Sequence, residues 1–270
     1  MSPLILEQYS PEGSPRRKAR SASFGVARAK YEDIRRLVDI EFLAFEEEKT
    51  NQILSYRDYE QPAHFDRAVK SYEASMAKAD ALTRRLKTQR SWRPRVDITR
   101  FRKVVDADSG EVVSWAKTEL KTYSYDELAS PADIGHEQDP QMNRDWFALN
   151  EQSRRDYMGT KQHMYIGMVA TEPRYQHHGA GTMLLEDILA EADAAGLECY
   201  LEATDTAKPL YERHGFVTVN ELRFDPAAYG VEGFRRERQT IMVRGALDVR
   251  GQRKDVRSWE EAVPGAQAQL

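Results

Sequence analysis

The sequence has one cysteine, Cys199, among 270 residues, so no disulfide can form within the chain. A lone thiol fits a reducing compartment, and we expect a cytoplasmic protein, with the nucleus open to it. No apolar run approaches the ~18 residues that a membrane-crossing helix needs, so a membrane partner is not expected. The first 22 residues also lack the apolar centre of a secretory signal. Excess charge is missing too: 40 Lys and Arg stand against 44 Asp and Glu, a formal net charge of -4. That balance argues against a protein that binds nucleic acid over its whole surface. Neither the dinucleotide spacing G-x-G-x-x-G nor the phosphate-loop spacing G-x-x-x-x-G-K-[ST] occurs, and there is no internal repeat.

What is present is ordinary for a soluble globular protein, with 40% hydrophobic and 31% charged residues. Residues 1–22 read as a flexible arm, and Arg16-Arg17-Lys18-Ala19-Arg20 within it as a solvated basic cluster more readily than as a nuclear address. Phe24–Ala29 reads as a first strand. Ile34, Leu37, Val38, Phe42 and Phe45 recur at spacings of three and four, which predicts a helix over Tyr31–Phe45. A second helix over Pro62–Thr88, lying on the surface, carries Phe65, Val69, Tyr72, Met76 and Leu82. Two β-rich runs between Arg95 and Leu120, joined by Asp106–Gly110, predict a hairpin. Residues 121–140 read as a loop insert, and Asn143–Tyr157 as a helix.

The best-defined stretch begins at His163. A strand ends near Thr171, then comes RYQHHGAGT over Arg174–Thr182, then a helix with Leu184, Leu185, Ile188, Leu189 and Ala192 on one face. Gly196 closes that helix, and Glu198–Ala203 is the next strand, which should lie parallel to the first and beside it. A short helix over Ala207–His214, an extended run from Phe216 to Val219 and a last strand at Gln239–Val243 follow. The alternation predicts an α/β fold. The turn itself has two readings. Glycines at a helix start can hold an anion on free N–H groups, or they can simply make a tight turn.

The residues around the turn resemble a known family. Gln176-x-x-Gly179-x-Gly181 resembles the Q/R-x-x-G-x-G/A signature of the GNAT superfamily of N-acetyltransferases. Pro173-Arg174-Tyr175 resembles the phrase that leads into it, and Ala207–Phe216 resembles the second motif, A-x-x-L-Y-x-x-x-G-F. Ala192-Asp193 and Tyr200–Thr204 are similar to phrases of fungal-type members. The resemblance implies a GNAT fold: a mixed central β-sheet splayed between strands 4 and 5, with helices on both faces. It places that domain at 23–245, with a helical insert at 62–90, the loop insert at 121–140 and a polar tail at 246–270.

The same resemblance implies transfer of an acetyl group from acetyl-CoA to a primary amine by direct attack, with a small-molecule acceptor favoured over a protein lysine or N-terminus. Val169, Ala170 and Thr171 would bind the pantetheine arm, and Gln176, His177, His178, Gly179, Ala180, Gly181 and Thr182 the diphosphate. Thr204 stands where many members place a cofactor-contacting asparagine. Tyr211 would protonate the departing thiolate. His177 stands where the family usually has glycine. A CoA-binding module without turnover is the alternative that His177 suggests. No metal is expected, since the His177–His178 pair has no third ligand at a recognisable spacing. A monomer or a homodimer fits the family.

An attacking amine must be neutral, so a base is needed. Glu202, on the same strand face as Thr204, is the general-base candidate, although a structural carboxylate is the plainer reading. Glu119 is a second candidate. Cys199 reads as a small buried strand residue. Trp92, Trp115, Trp146 and Tyr123 could line an acceptor pocket or belong to the core. The acidic runs Glu46–Glu48 and 133–139 read as solvated faces.

Overall fold

The computed structural model describes residues 23–88, 97–132, 137 and 140–264. The basic cluster at 16–20, Trp92 and most of the acidic run at 133–139 lie outside them. Seven strands form one sheet: β1 (Phe24–Arg28), β2 (Ile98–Asp106), β3 (Val112–Lys121), β4 (His163–Thr171), β5 (Glu198–Ala203), β6 (Val217–Phe224) and β7 (Glu237–Arg244). Their order is β1-β2-β3-β4-β5-β7-β6. Every neighbouring pair is antiparallel except β4 and β5. The predicted hairpin is β2–β3, and the parallel pair is the one expected from the strand-helix-strand stretch. The final strand turns back to lie between β5 and β6, an order that no local pattern specifies.

Helices cover both faces. On one lies α6 (Ala180–Ala194), whose Leu184, Leu185, Ile188, Leu189 and Ala192 pack on Val104, Val113, Met164, Cys199 and Leu201. On the other lie α1 (Ile34–Ala44), α2 (Lys49–Ser55), α3 (Ala63–Thr88) and α5 (Gln141–Met158). Ile34, Leu37 and Val38 of α1 are buried against Trp115 and Phe101, as the spacing predicts. Helix α3 is bound more closely than a surface helix. Its Val69 and Met76 are buried, and the Tyr72 ring meets Trp115 edge-on at 5.2 Å. Its polar residues outnumber the apolar ones, so the sequence pattern understates how much of its stripe the sheet covers.

The sequence reading has no counterpart for α2 or for α4 (Tyr125–Ala129), which a Ser124–Glu127 capping box starts. Short helix α7 (Lys208–Arg213) follows β5. Beyond β7 the chain returns to the body. Lys254 donates to the Ala246 carbonyl at 2.9 Å, and Trp259, opening the short helix α8 (Trp259–Ala262), stacks on Tyr157 at 5.8 Å.

Candidate active site

Strands β4 and β5 stay together for three residue pairs only, from His163↔Glu198 to Tyr165↔Tyr200. The reason lies on the other edge of β4. Its register with β3 shifts where Lys117 pairs with Met168 and Thr118 with Ile166, which leaves Gly167 as the extra residue of a bulge. A bulge bends its strand, and here β4 turns away from β5. A Cβ at residue 167 would come within 2.9 Å of the Tyr165 ring, so glycine suits the bend. Beyond Tyr165, no described strand pairs with the β5-facing edge of β4. At the level of Val169, Ala170 and Thr171, alternate backbone groups on that edge are left without a strand partner, while the Ala170 carbonyl accepts from Ser114 Oγ at 2.8 Å.

The opened edge leads into the glycine turn. Gln176 Nε2 donates to the Thr171 carbonyl at 3.1 Å and ties the turn to the strand end. His177 has φ +61° and Gly179 φ +95°, both left-handed. Glycine adopts that region freely, whereas a residue with a Cβ pays about 1–2 kcal/mol. This is a physical reason for the family's glycine at the position His177 holds. His177 is exposed and borders the cleft. Gly179 is the N-cap of α6 and makes no side-chain cap bond. The first turn is closed by Met183 N–H donating to the Gly179 carbonyl at 2.9 Å. The N–H groups of Ala180, Gly181 and Thr182 therefore have no partner within the helix, at its positive end. The Ala180 methyl is in the core, and His178 is exposed and does not line the cleft. Among the described residues no group of three or more His, Cys, Asp and Glu side chains is placed to hold a metal ion.

Across the split stand β5 and α7. The Thr204 hydroxyl accepts from Ala207 N–H at 3.3 Å, so part of its capacity goes to starting α7. Tyr211 is buried, meets Phe216 edge-on at 5.6 Å and lines the cleft. Burial raises its phenol pKa, so the hydroxyl keeps its proton at neutral pH.

Strand alternation sorts the rest of β5. Cys199, Leu201 and Ala203 face α6, so Tyr200 and Glu202 face the other side. The Cys199 thiol is pushed up to about 12 by burial, which suits an inert core residue. The Glu202 side chain is 6% exposed. Burial pushes its pKa up to about 7, with Arg154 and the Tyr165 hydroxyl pulling it down. Its Oε1 has no hydrogen-bond partner, and Arg154 Nη1 is 3.9 Å away, too far to bond. Arg154 is itself held by Glu151 and by the Tyr123 hydroxyl at 2.9 Å, and its guanidinium lies 3.6 Å from the Tyr165 ring centre.

Glu119 fares differently. Burial would raise it, but Lys117 at 2.9 Å, with Arg154 and Lys121, brings it down to about 2. A carboxylate locked in that way is a poor base, and it does not line the cleft. Glu41 does line it, buried on α1, with the Tyr56 hydroxyl donating to Oε1 at 2.8 Å and the Tyr72 hydroxyl to Oε2 at 2.9 Å. Burial pushes Glu41 up to about 7 against those two donors and Lys117.

The cleft has a volume of about 710 Å³. It gathers Val169, Ala170, Thr171, Gln176, His177, Gly179, Gly181, Thr182, Glu202, Thr204 and Tyr211. Its far wall comes from α1, α2, α3 and α5, including Phe45, Tyr72 and Trp146. No described residue of the 121–140 insert lines it, whereas Trp146, Phe147 and Asn150 of α5 do. Trp115 lies in the core, and Tyr123 is buried beside Arg154. Glu48 lines the cleft, whereas Glu46 and Glu47 are exposed. The sequence reading missed Glu41, Tyr72, Arg154 and Tyr165. Glu41 had a visible signal: it falls four residues after Leu37 and four before Phe45, a charge on the apolar stripe of α1.

Comparison with known proteins agrees with this geometry. Residues 119–226 match the family described as the acetyltransferase (GNAT) domain. An uncharacterized N-acetyltransferase of Escherichia coli (strain K12), YafP, is 30% identical over 80 residues, 30% of this chain and 50% of that protein. The chain thus spans half the length of that relative. The crystal structure of mosquito arylalkylamine N-acetyltransferase like 5b aligns over 82% of this chain and 99% of its own, with 12% identity and a TM-score of 0.56. PaiA N-acetyltransferase from Thermoplasma acidophilum, in complex with coenzyme A, aligns over 82% of this chain and 98% of its own, with 13% identity and a TM-score of 0.46. A seven-stranded sheet opened between a parallel β4 and β5 is the GNAT fold, and with the match over residues 119–226 it supports placing the chain in the GNAT acetyltransferase superfamily.

Proposed function

We propose that the protein is an N-acetyltransferase that moves an acetyl group from acetyl-CoA to a primary amine. One observation carries this reading. The unpaired edge of β4 runs into the bare N-terminus of α6, while Tyr211 and Glu202 line the same cleft. The chain's groups fit a pantetheine arm ending in a diphosphate. Backbone groups of Val169, Ala170 and Thr171 would bond the arm as an added strand would, and N–H groups of Ala180, Gly181 and Thr182 would hold the diphosphate. The bound thioester supplies an acyl carbon open to attack. Glu202 takes a proton from the incoming ammonium, directly or through water, and so frees the nitrogen lone pair. As the C–N bond forms and the C–S bond breaks, Tyr211 gives its proton to the sulfur and is reprotonated from the nitrogen.

The size of the cleft supports a small-molecule acceptor rather than a protein segment, since the cosubstrate arm occupies part of it. The phrase Tyr200–Thr204 supports a fungal-type placement within the superfamily. Among the described residues no helix is long and apolar enough to cross a membrane.

The test is to incubate the protein with acetyl-CoA and a panel of amines and to follow free thiol. Acceptor-dependent thiol release is expected. A rise in melting temperature with CoA, but no thiol with any acceptor, would reduce the protein to a binding module.

A further inference from the structure

Two carboxylates in the cleft keep acceptor positions that no hydrogen bond fills, although Arg154 stands 3.9 Å from one of them, Glu202. The charged side chains lining it are Glu41, Glu48, Lys117, Glu202 and Arg213. Arg235 takes Glu48 at 2.8 Å, and Glu119 takes Lys117 at 2.9 Å. Arg213 belongs to α7, on the cofactor wall. Glu41 and Glu202 remain, and both lie on the sheet face that carries α1, α3 and α5.

They are prepared differently. The Glu202 Oε1 atom is buried and receives no hydrogen bond. A buried acceptor in that condition is costly, and a donor brought by a ligand would relieve it. Glu41 is aimed rather than bare. One phenol donates to each of its oxygens, which fixes the plane of the carboxylate and offsets part of the rise in pKa that burial causes. A carboxylate has about four acceptor positions, so it keeps room for a cation. Phe45, Trp146 and Phe147 supply apolar and π surface on the same wall, suited to a methylene chain carrying positive charge.

We infer that the acceptor is a small aliphatic diamine, one nitrogen delivered to Glu202 and the other, still an ammonium, resting on Glu41. This inference rests on the transfer reading given above. The reacting nitrogen yields one proton to Glu202, forms the C–N bond as the C–S bond breaks, and yields its second proton by way of Tyr211 to the sulfur. The second ammonium keeps its protons throughout.

The experiment measures thiol release with acetyl-CoA and three matched ladders: straight-chain diamines, monoamines of equal length and ω-amino acids. The best diamine should exceed its monoamine by about 10- to 100-fold in kcat/KM, the range expected for a hydrogen bond to a charged group, with the ω-amino acids poorest. Glu41→Gln should bring diamine and monoamine together, mainly through KM. Tyr72→Phe, which leaves the carboxylate and one donor, should shift the ratio the same way by less. It keeps the comparison available if Glu41→Gln fails to fold. Equal rates for the wild-type protein on diamines and monoamines, or a preference for ω-amino acids, would overturn the inference and leave acetyl transfer standing. Thiol release that no amine raises above the rate without amine would overturn both.

Discussion

The two walls of the cleft are built in opposite ways. The cofactor wall is one nearly continuous stretch, in which β4, the glycine turn, α6, β5 and α7 follow each other from His163 to Arg213. The acceptor wall is assembled from α1, α2, α3 and α5, with β3 and β4 beneath them. The first wall works through backbone groups, whose placement is set by local bends at Gly167, His177 and Gly179. The second works through side chains, whose charge depends on what other elements bury beside them. Damage to one wall should therefore leave the other's property intact.

The largest expected effect is at Glu202, which β5 carries on the face turned toward the acceptor wall. Glu202→Gln should lower thiol release by about 10²- to 10⁴-fold, the usual contribution of a positioned base. Affinity for CoA, read by calorimetry, should hold. A parallel loss of CoA binding would show that the walls are not separable. The same residue sets opposite pH trends. Its pKa is raised from 4.5 to about 7, so the folded chain keeps a proton that the unfolded chain has released. Its contribution to stability is full below about 4.5 and is lost as pH rises through about 7. Glu41 and Glu237, also raised to about 7, act in the same direction. Turnover needs the ionised base and should rise over that interval. Urea titrations should show stability falling by at most about 1.4 kcal/mol per pH unit for each group, with a shallower slope in Glu202→Gln.

Next in size is Arg154→Met. It would remove the buried cation beside Glu202 while leaving Glu151 to Arg155 at 3.0 Å, and should cost about 3–5 kcal/mol in urea unfolding. A loss under about 1 kcal/mol would mean that the guanidinium is solvated and that the floor of the acceptor wall is not dry.

On α7, on the same side of the split as Glu202, Tyr211→Phe removes a proton donor and little volume. Turnover should fall by about 10- to 100-fold, the lower part of the range for acid catalysis, while CoA affinity stays constant. Equal losses of both would make Tyr211 a packing residue of α7.

The smallest effect concerns the turn. His177→Gly should stabilise the fold by about 1 kcal/mol, measured as a rise in melting temperature, because it removes a Cβ from a left-handed position. CoA binding should persist. A large loss would show that the imidazole holds the diphosphate and that this wall, too, depends on side chains.

The fold and the cofactor wall were legible because their determinants are local. The spacing of Gln176, Gly179 and Gly181 specifies a turn and a helix start, and the stripe from Leu184 to Ala192 specifies which face of α6 is buried. The motif also drew attention to Tyr211 and Glu202. The order of β7 and β6 was not legible, since strand pairing across the sheet depends on which edges remain open after the others have paired.

What the sequence determined by itself was the α/β alternation, the helix stripes and the glycine turn, all products of neighbours three or four positions apart. What only the tertiary structure decided was the electrostatic character of the three acids considered for the site. Glu119, Glu202 and Glu41 are the same residue type, yet the first is a locked anion beside Lys117, the second a buried acid 3.9 Å from Arg154, and the third a carboxylate held by two phenols. A carboxyl group's pKa follows the water removed from it and the charges brought to it, and folding arranges both over distances that no local pattern spans.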